Sequence, residues 1–182
     1  MRIGVIGGSG VYGMDGLEDV REMRVGTPYG DPSDAFLLGK LDGQELVFLP
    51  RHGRGHRLNP TEVNYRANIF AMKTLGVEWV ISVSAVGSLK EEIVHGHIVV
   101  VDQFIDRTVA RKSTFFENGL VAHVGFGDPV CPTLRGILLE ASREAGATTH
   151  DGGTYVCMEG PAFSSKAESN LHRSWGASVI GM

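Results

Sequence analysis

The sequence predicts an α/β fold in which a single mixed β-sheet is flanked by helices. Short apolar runs typical of buried strands recur along the chain, and segments with helix capping and stop signals separate several of them. Of the 182 residues, 42% are hydrophobic, which is enough to bury a substantial core. We therefore expect one domain, covering residues 1–182.

Local signals place the individual elements. The predicted strands cover residues 2–6, 35–40, 45–50, 79–83, 98–105, 154–157 and 178–182. The dipeptide Asp42-Gly43 favours a tight turn, so the second and third of these strands should form an antiparallel hairpin. Capping boxes begin at Asn59 and Ser165, and a proline starts the helix between them. The predicted helices cover residues 60–75, 132–145 and 166–175, and each ends before a glycine.

Polar loops follow three of the predicted strands and indicate an anion-binding site. Arg51 and His52 come directly after the strand at residues 45–50, where a guanidinium fork and an imidazole match phosphate oxygens. The glycine-rich loop around Ser9 and the loop at Ser84 offer backbone amides and hydroxyl groups. A solvated basic loop, and a turn-capping role for Ser84, are the structural alternatives. Because the net charge is −4, we expect any anion to be held locally, and we expect no nucleic-acid partner.

Two other enzyme classes share parts of these loops. Residues 8–13 match the G-x-G-x-x-G pattern of dinucleotide-binding folds, but Gly16 interrupts the expected helix and a turn-rich stretch at residues 27–32 replaces the acidic end of a second strand. Arg51-His52-Gly53 is also a signature of histidine phosphatases, in which it normally ends the first strand. Here it lies behind a glycine loop and a hairpin, so we rank both classes below a non-covalent phosphate site.

The cysteine content and hydropathy indicate where the protein acts. Cys131 and Cys157 match no zinc or disulfide spacing, which favours a reducing compartment. We found no signal-peptide pattern and no apolar run long enough to cross a bilayer. We therefore expect a cytoplasmic protein without a membrane partner.

Several segments together resemble, in order, the purine nucleoside phosphorylase superfamily and within it the methylthioadenosine phosphorylase branch. They are residues 3–10, 51–56, 60–68, 84–89, 101–108 and 158–169. The resemblance implies a nucleoside phosphorylase-like fold and phosphorolysis of 5'-methylthioadenosine to adenine and 5-methylthioribose 1-phosphate, a step of purine and methionine salvage. Inorganic phosphate would be the co-substrate, and the resemblance implies no metal and no organic cofactor.

The resemblance also implies roles for individual residues. Those matching phosphate-binding positions are Ser9, Arg51, His52, Ser84 and Ala85. Those matching substrate-binding positions are Met182, Phe163, Ser164, His56 and His123. In the family the methionine lies against the ribose, the Phe-Ser pair forms part of the base pocket, and the residue matched by His123 reaches a neighbouring subunit's site. A homo-oligomer, either a trimer or a dimer of trimers, is therefore implied.

By the same resemblance, the chain ends early. The family's next phosphate-binding hydroxyl, and the aspartate that assists departure of the purine as a general acid, would lie beyond Met182. We therefore expect the C-terminal portion of the fold to be missing and little phosphorolysis by these 182 residues alone. Two alternatives stay open: a phosphorylase of 6-oxopurine nucleosides, or a shortened inactive paralogue that binds phosphate or nucleoside or assembles with full-length subunits.

Overall fold

The structure is a computed structural model that describes residues 1–8 and 14–182. The described chain divides into two compact units, and the predicted α/β class is confirmed in both. Unit 1 comprises Met1–Ser84 with Arg111–Leu120, and unit 2 comprises Ala85–Ala110 with Val121–Met182. Ser9 and most of the 8–13 glycine pattern lie outside the described residues.

Among its described residues, unit 1 contains a five-stranded sheet with one helix packed on it. Its elements are β1 Arg2–Gly7, β2 Glu18–Met23, β3 Phe36–Leu41, β4 Gln44–Pro50, α1 Tyr65–Thr74 and β5 Trp79–Ser82. The strand order is β2-β3-β4-β1-β5. The central strand β1 runs parallel to both β4 and β5, whereas β3 is antiparallel to β2 and β4.

The predicted hairpin between β3 and β4 is confirmed. Asp42 and Gly43 have φ angles of 48° and 77°, the left-handed backbone that a two-residue hairpin turn requires. Strand β4 is apolar at successive positions because both of its faces are covered. Val47 and Leu49 belong to the core that includes α1, while Phe48 packs with residues of the other face.

The predicted start of α1 is wrong. The side chain of Asn59 does accept from the backbone N–H groups of Thr61 and Glu62, but residues 60–63 form turns rather than helix. The helix begins at Tyr65. Asn64 before it has a non-helical backbone conformation, and its side chain accepts from Ala67 N as the helix cap. The sequence therefore carries two caps in succession, and the second one starts the helix.

Strand β2 was not predicted from the sequence, because its residues lack an apolar pattern. Five of its six residues are exposed, and it lies at the edge of the sheet. Charged side chains on an edge strand discourage pairing with other chains. A register irregularity between Glu18 and Arg21 further obscures the alternation.

Unit 2 contains a four-stranded sheet and a separate two-stranded sheet among its described residues. Its elements are β6 Gly87–Ser88, β7 Ile98–Val100, β8 Gln103–Asp106, α2 Pro132–Glu144, β9 Thr149–Asp151, β10 Thr154–Cys157, α3 Lys166–Ser174 and β11 Val179–Gly181. The larger sheet has the order β6-β11-β10-β8, with β10 parallel to both β8 and β11. Strands β7 and β9 form the smaller sheet.

The single strand predicted over residues 98–105 is two strands that belong to different sheets. The chain breaks the strand at Val101-Asp102, where the Asp102 carboxylate accepts from Gly153 N at 3.1 Å. Strand β7 pairs with β9, whereas β8 pairs with β10. The described strands are thus hydrogen-bonded in three sheets and not in the one mixed sheet that we predicted.

The two helices predicted for unit 2 are confirmed within one or two residues. Ser165 and Glu168 form both hydrogen bonds of a capping box at the start of α3. Helix α2 begins at Pro132 and ends before Gly146, whose φ is 79°. Residues 107–131 contain neither helix nor strand, although their last part leads directly into α2.

Candidate functional site

In unit 1, three parallel strands end side by side at one edge of the sheet. Arg51 follows β4, and its backbone N–H donates to Gly7 O at the end of β1 at 3.3 Å. Val83 follows β5 and donates to Ile6 O at 2.9 Å. Arg51 and Ser84 therefore extend from strands that flank β1, at the edge where open α/β sheets bind ligands.

The loop after β4 has a defined backbone shape. Gly53 N donates to Pro50 O at 2.9 Å, and Leu58 N donates to His52 O at 3.1 Å, which closes the loop on itself. Gly53 has a φ of 70° and is packed tightly: a Cβ there would lie 2.7 Å from Arg57 Nε and 3.1 Å from Ser33 O. Glycine is therefore required here both for its backbone conformation and for space.

Arg54 anchors this loop instead of facing an anion. Its guanidinium pairs with Glu22 and, at 3.4 Å, with Asp34, and its backbone N–H donates to Asp34 at 2.7 Å. Burial alone would raise the pKa of Asp34, but the N–H groups of Arg54 and Ala35 and the cations of Arg54 and Arg57 outweigh it and lower that pKa. Arg54 thus stabilises the loop through these contacts, and we do not assign it to the anion site.

His52 is held in one tautomer by this loop. Its Nδ1 lies 2.8 Å from Leu58 O, and because a carbonyl oxygen only accepts, Nδ1 must carry the proton. The variable protonation site is therefore Nε2. The His56 ring stacks on the His52 ring with centroids 4.4 Å apart and planes 18° apart. The structure thus brings Arg51, His52 and His56 together.

The pKa of His52 is lowered, mainly because burial penalises the charged imidazole. The hydrogen bond to Leu58 acts in the opposite direction, and the positive charges of Arg51, His56 and Arg111 reinforce the lowering. In the free protein His52 therefore favours the neutral form, and an anion beside Nε2 would favour the charged one.

In unit 2, a second set of three parallel strands ends side by side. Met158 follows β10 and donates its N–H to Gly181 O at the end of β11 at 2.8 Å, which brings it beside Met182. Arg107 follows β8 and donates its N–H to Cys157 O, also at 2.8 Å. This edge thus carries the two thioether residues Met158 and Met182.

Phe163 and Ser164 lie between β10 and α3. The Phe163 side chain is 84% exposed, so it is not the core residue that a phenylalanine usually is. The Ser164 hydroxyl forms a hydrogen bond of 2.9 Å with the Ser169 hydroxyl, which orients it next to the capped start of α3. His123 is exposed in the irregular segment, and Ala85 is exposed at the start of unit 2.

The carboxylates of this edge support the backbone. Glu159 accepts from the N–H groups of Val109 and Ala110, and Asp106 accepts from Thr108 N at 2.8 Å. The Arg107 guanidinium lies 5.3 Å from the centre of the Trp175 ring, a cation–π contact. Asp106 and Arg107 are therefore structural in the contacts that we observe.

Neither metal ligation nor a membrane span emerges from the described residues. They contain no group of three or more His, Cys, Asp or Glu side chains arranged to hold a metal ion. Among the helices of residues 1–8 and 14–182, none combines the length and the apolar content needed to cross a bilayer.

Comparison with known proteins identifies the family. The family model described as the Phosphorylase superfamily matches residues 2–182. The chain belongs to the phosphorylase superfamily. Among curated relatives, the S-methyl-5'-thioadenosine phosphorylase of Geobacter sulfurreducens is 70% identical over 99% of this chain and 63% of its own length. The protein of that name from Thermosynechococcus vestitus is 61% identical, with 100% and 64% covered.

Solved phosphorylase structures share the fold as well. A methylthioadenosine phosphorylase from an antarctic soil metagenomic library has a TM-score of 0.96 and 52% identity, covering 99% of this chain and 64% of that one. A mutant adenosine/methylthioadenosine phosphorylase from Schistosoma mansoni, in complex with adenine, has a TM-score of 0.94 and 36% identity, covering 100% and 70%. The chain thus spans somewhat less than two thirds of the length of its first curated relatives.

One residue near the predicted phosphorylase phosphate site was missed by the sequence analysis. Arg111 comes from the segment Arg111–Leu120, which belongs to unit 1 although it is distant in sequence. Its guanidinium lies 5.2 Å from the centre of the Tyr65 ring, and its charge acts on His52. No local pattern could have revealed this placement, because it arises only when the segment folds back onto α1.

Proposed function

We propose that this chain provides the phosphate site and part of the nucleoside site of a 5'-methylthioadenosine phosphorylase. The observation that carries the proposal is the loop of Arg51 and His52 at the carboxyl edge of unit 1, in a chain 70% identical to a relative of that name. The reaction yields adenine and 5-methylthioribose 1-phosphate. It places the protein in purine and methionine salvage, as a transferase of pentosyl groups.

In this reaction a phosphate oxygen forms a bond to the anomeric carbon while the bond from that carbon to the purine nitrogen breaks. The bonding electron pair leaves with the purine, which takes up a proton, and hydrogen phosphate loses one proton as it becomes the phosphate ester. Arg51, His52 and Ser84, with Ser9 and Ala85, hold and orient the phosphate. Catalysis of this kind depends mainly on positioning and on electrostatic stabilisation of the oxocarbenium-like transition state. Inorganic phosphate is the co-substrate, and we propose no metal or organic cofactor.

Most of the proposed nucleoside residues belong to unit 2, whereas His56 belongs to unit 1. Met182 lies against the ribose, the exposed Phe163 ring stacks on the purine, and Ser164 discriminates at the purine's 6-position. His56 supports the sugar and phosphate. His123 acts toward the 5' substituent in a neighbouring subunit, and we propose a homo-oligomer, either a trimer or a dimer of trimers. We further propose that the protein works in the cytoplasm.

A binding experiment tests the proposal most cleanly, because this chain covers only part of its relatives. Isothermal titration of the protein with phosphate, methylthioadenosine and inosine should give saturable binding of the first two and weaker binding of inosine. Phosphate-dependent release of adenine, followed by chromatography, would add turnover. Tighter binding of inosine than of methylthioadenosine would overturn the substrate, and absence of phosphate binding would overturn the function.

A further inference from the structure

We infer that Arg111 is an additional cation of the phosphate site, which acts beside Arg51 and His52 and is positioned by the segment Arg111–Leu120. The inference rests on the proposed function, since it concerns the same anion.

The first support is the way this segment, called the strap below, is fastened to unit 1. Arg66 of α1 forms an ion pair with Glu117 at 2.6 Å and donates to Thr114 O at 3.3 Å. The Phe115 ring packs edge-on against the Tyr29 ring, with centroids 5.3 Å apart. The strap is therefore attached to the surface of unit 1 at several points downstream of Arg111.

The second support is the contact of Arg111 itself. Its guanidinium lies over Tyr65, the first residue of α1, and the Tyr65 hydroxyl donates to Pro60 O at 2.7 Å. Pro60 lies two residues after Leu58, whose carbonyl and N–H both bind His52. Tyr65 thus links Arg111, which lies over its ring, to the loop that carries His52.

The third support is electrostatic. The positive charge of Arg111 contributes to the lowered pKa of His52, as the charges of Arg51 and His56 do. Cations that repel one another in the free protein all gain when a divalent anion binds among them. A guanidinium stacked on an aromatic ring is also held in one orientation.

The test compares Arg111→Gln, Arg111→Lys and Arg21→Gln by calorimetric titration with inorganic phosphate. We expect Arg111→Gln to weaken phosphate binding roughly three- to tenfold, since a partly solvated charge contributes modestly. Arg111→Lys should restore most of the affinity. As the control, Arg21→Gln should leave it unchanged, because Arg21 is an exposed residue of the edge strand β2 and belongs neither to the loop nor to the strap.

NMR titration of His52 supplies a readout that a merely structural role would not move. The pKa of His52 should rise in Arg111→Gln and stay low in Arg111→Lys. If Arg111→Gln does not fold, Arg111→Met is used in its place, because methionine can still pack on the Tyr65 ring. Unchanged phosphate affinity in a wild-type-like fold would overturn the inference alone. If the wild-type protein binds no phosphate, the proposed function fails instead, and the His52 titration still decides whether the Arg111 charge reaches that ring.

Discussion

The two units present the same arrangement with different chemistry. In each, three parallel strands end side by side, β4, β1 and β5 in unit 1 and β8, β10 and β11 in unit 2. Unit 1 continues into Arg51 and His52, whereas unit 2 continues into Met158, Met182 and Arg107, whose guanidinium lies over the Trp175 ring. The strand ends thus determine where ligand groups gather, and the residues that follow determine which ligand fits. We assign the anion to unit 1 and the less polar nucleoside to unit 2.

Removing the Arg51 guanidinium from unit 1 should have the largest effect. Arg51→Ala should weaken phosphate binding roughly 10- to 150-fold, because a hydrogen bond to a charged group contributes about 1.5–3 kcal/mol. Adenine binding should change less than about twofold, since we assign adenine to the other unit. Calorimetric titration of both ligands measures this, with Arg21→Ala, at an exposed residue of the edge strand β2, as the matched control. A parallel loss of adenine binding would break the division between the units.

The Arg51-His52 loop in unit 1 also depends on the backbone conformation of its glycines. Substitutions at Gly53 and Gly55 distinguish the cost of positive φ from the cost of close packing. Gly53→Ala and Gly55→Ala both place a side chain at positive φ, which costs roughly 1–2 kcal/mol. Only at Gly53 does the new Cβ also meet neighbouring atoms, whereas the space around Gly55 is open. Urea unfolding should show a loss of about 2 kcal/mol or more for Gly53→Ala and a smaller one for Gly55→Ala. Equal losses would mean that packing at Gly53 is unimportant.

In unit 2, Phe163→Ala should weaken adenine binding roughly tenfold, since stacking of a base on an aromatic ring contributes about 1–3 kcal/mol. Phosphate affinity and the thermal midpoint should stay unchanged, because the ring is 84% exposed and supports no core. Leu171→Ala, at another exposed apolar residue of unit 2, is the control. If Phe163→Ala left adenine binding intact, the base pocket would have to be assigned elsewhere.

The smallest expected effect is a pH dependence confined to unit 1. Sulfate, which remains a dianion, should bind about threefold more tightly as pH falls from 8 to 6, because only a protonated Nε2 of His52 can donate to it. The lowered pKa of His52 in the free protein means that binding must take up a proton. Adenine affinity should stay flat over this range, and His52→Asn should abolish the sulfate dependence. A pH-independent sulfate affinity would remove His52 from the site.

The lowered pKa of His52 also makes the stability of the fold depend on pH. Because the folded pKa of His52 lies below its unfolded value, its contribution to stability is fully present above about pH 6.5. That contribution decreases as pH falls below this value toward the folded pKa. His52→Asn should therefore flatten this part of the curve of unfolding free energy against pH.

The parts of the fold that local chemistry determines could be predicted from the sequence. Asp42-Gly43 fixes a hairpin, and Ser165 with Glu168 starts α3, because each signal is complete within a few residues. The start of α1 was wrong because Asn59 and Asn64 both cap and only the second leads into the helix. Nothing in a local pattern shows that one of two competing caps closes only a turn.

Features that depend on distant contacts could not be predicted. The break of the strand at Asp102 depends on Gly153, and the assignment of Arg54 to the scaffold depends on Glu22 and Asp34. Arg111 enters the candidate site only because the strap folds back onto Tyr65. Ser9, Arg51, His52 and Ser84 were predicted from their positions after strands, and the other candidate residues came from the family resemblance. The roles of all of them stay predictions.

The most direct test of the central claim is a map of amide NMR shifts with phosphate and adenine added separately. The account predicts that phosphate first shifts the amides of Arg51, His52 and Ser84, and that adenine first shifts those around Phe163 and Met182. Phosphate shifts centred in unit 2, or adenine shifts centred on the Arg51-His52 loop, would contradict the assignment of the two ligands to the two units.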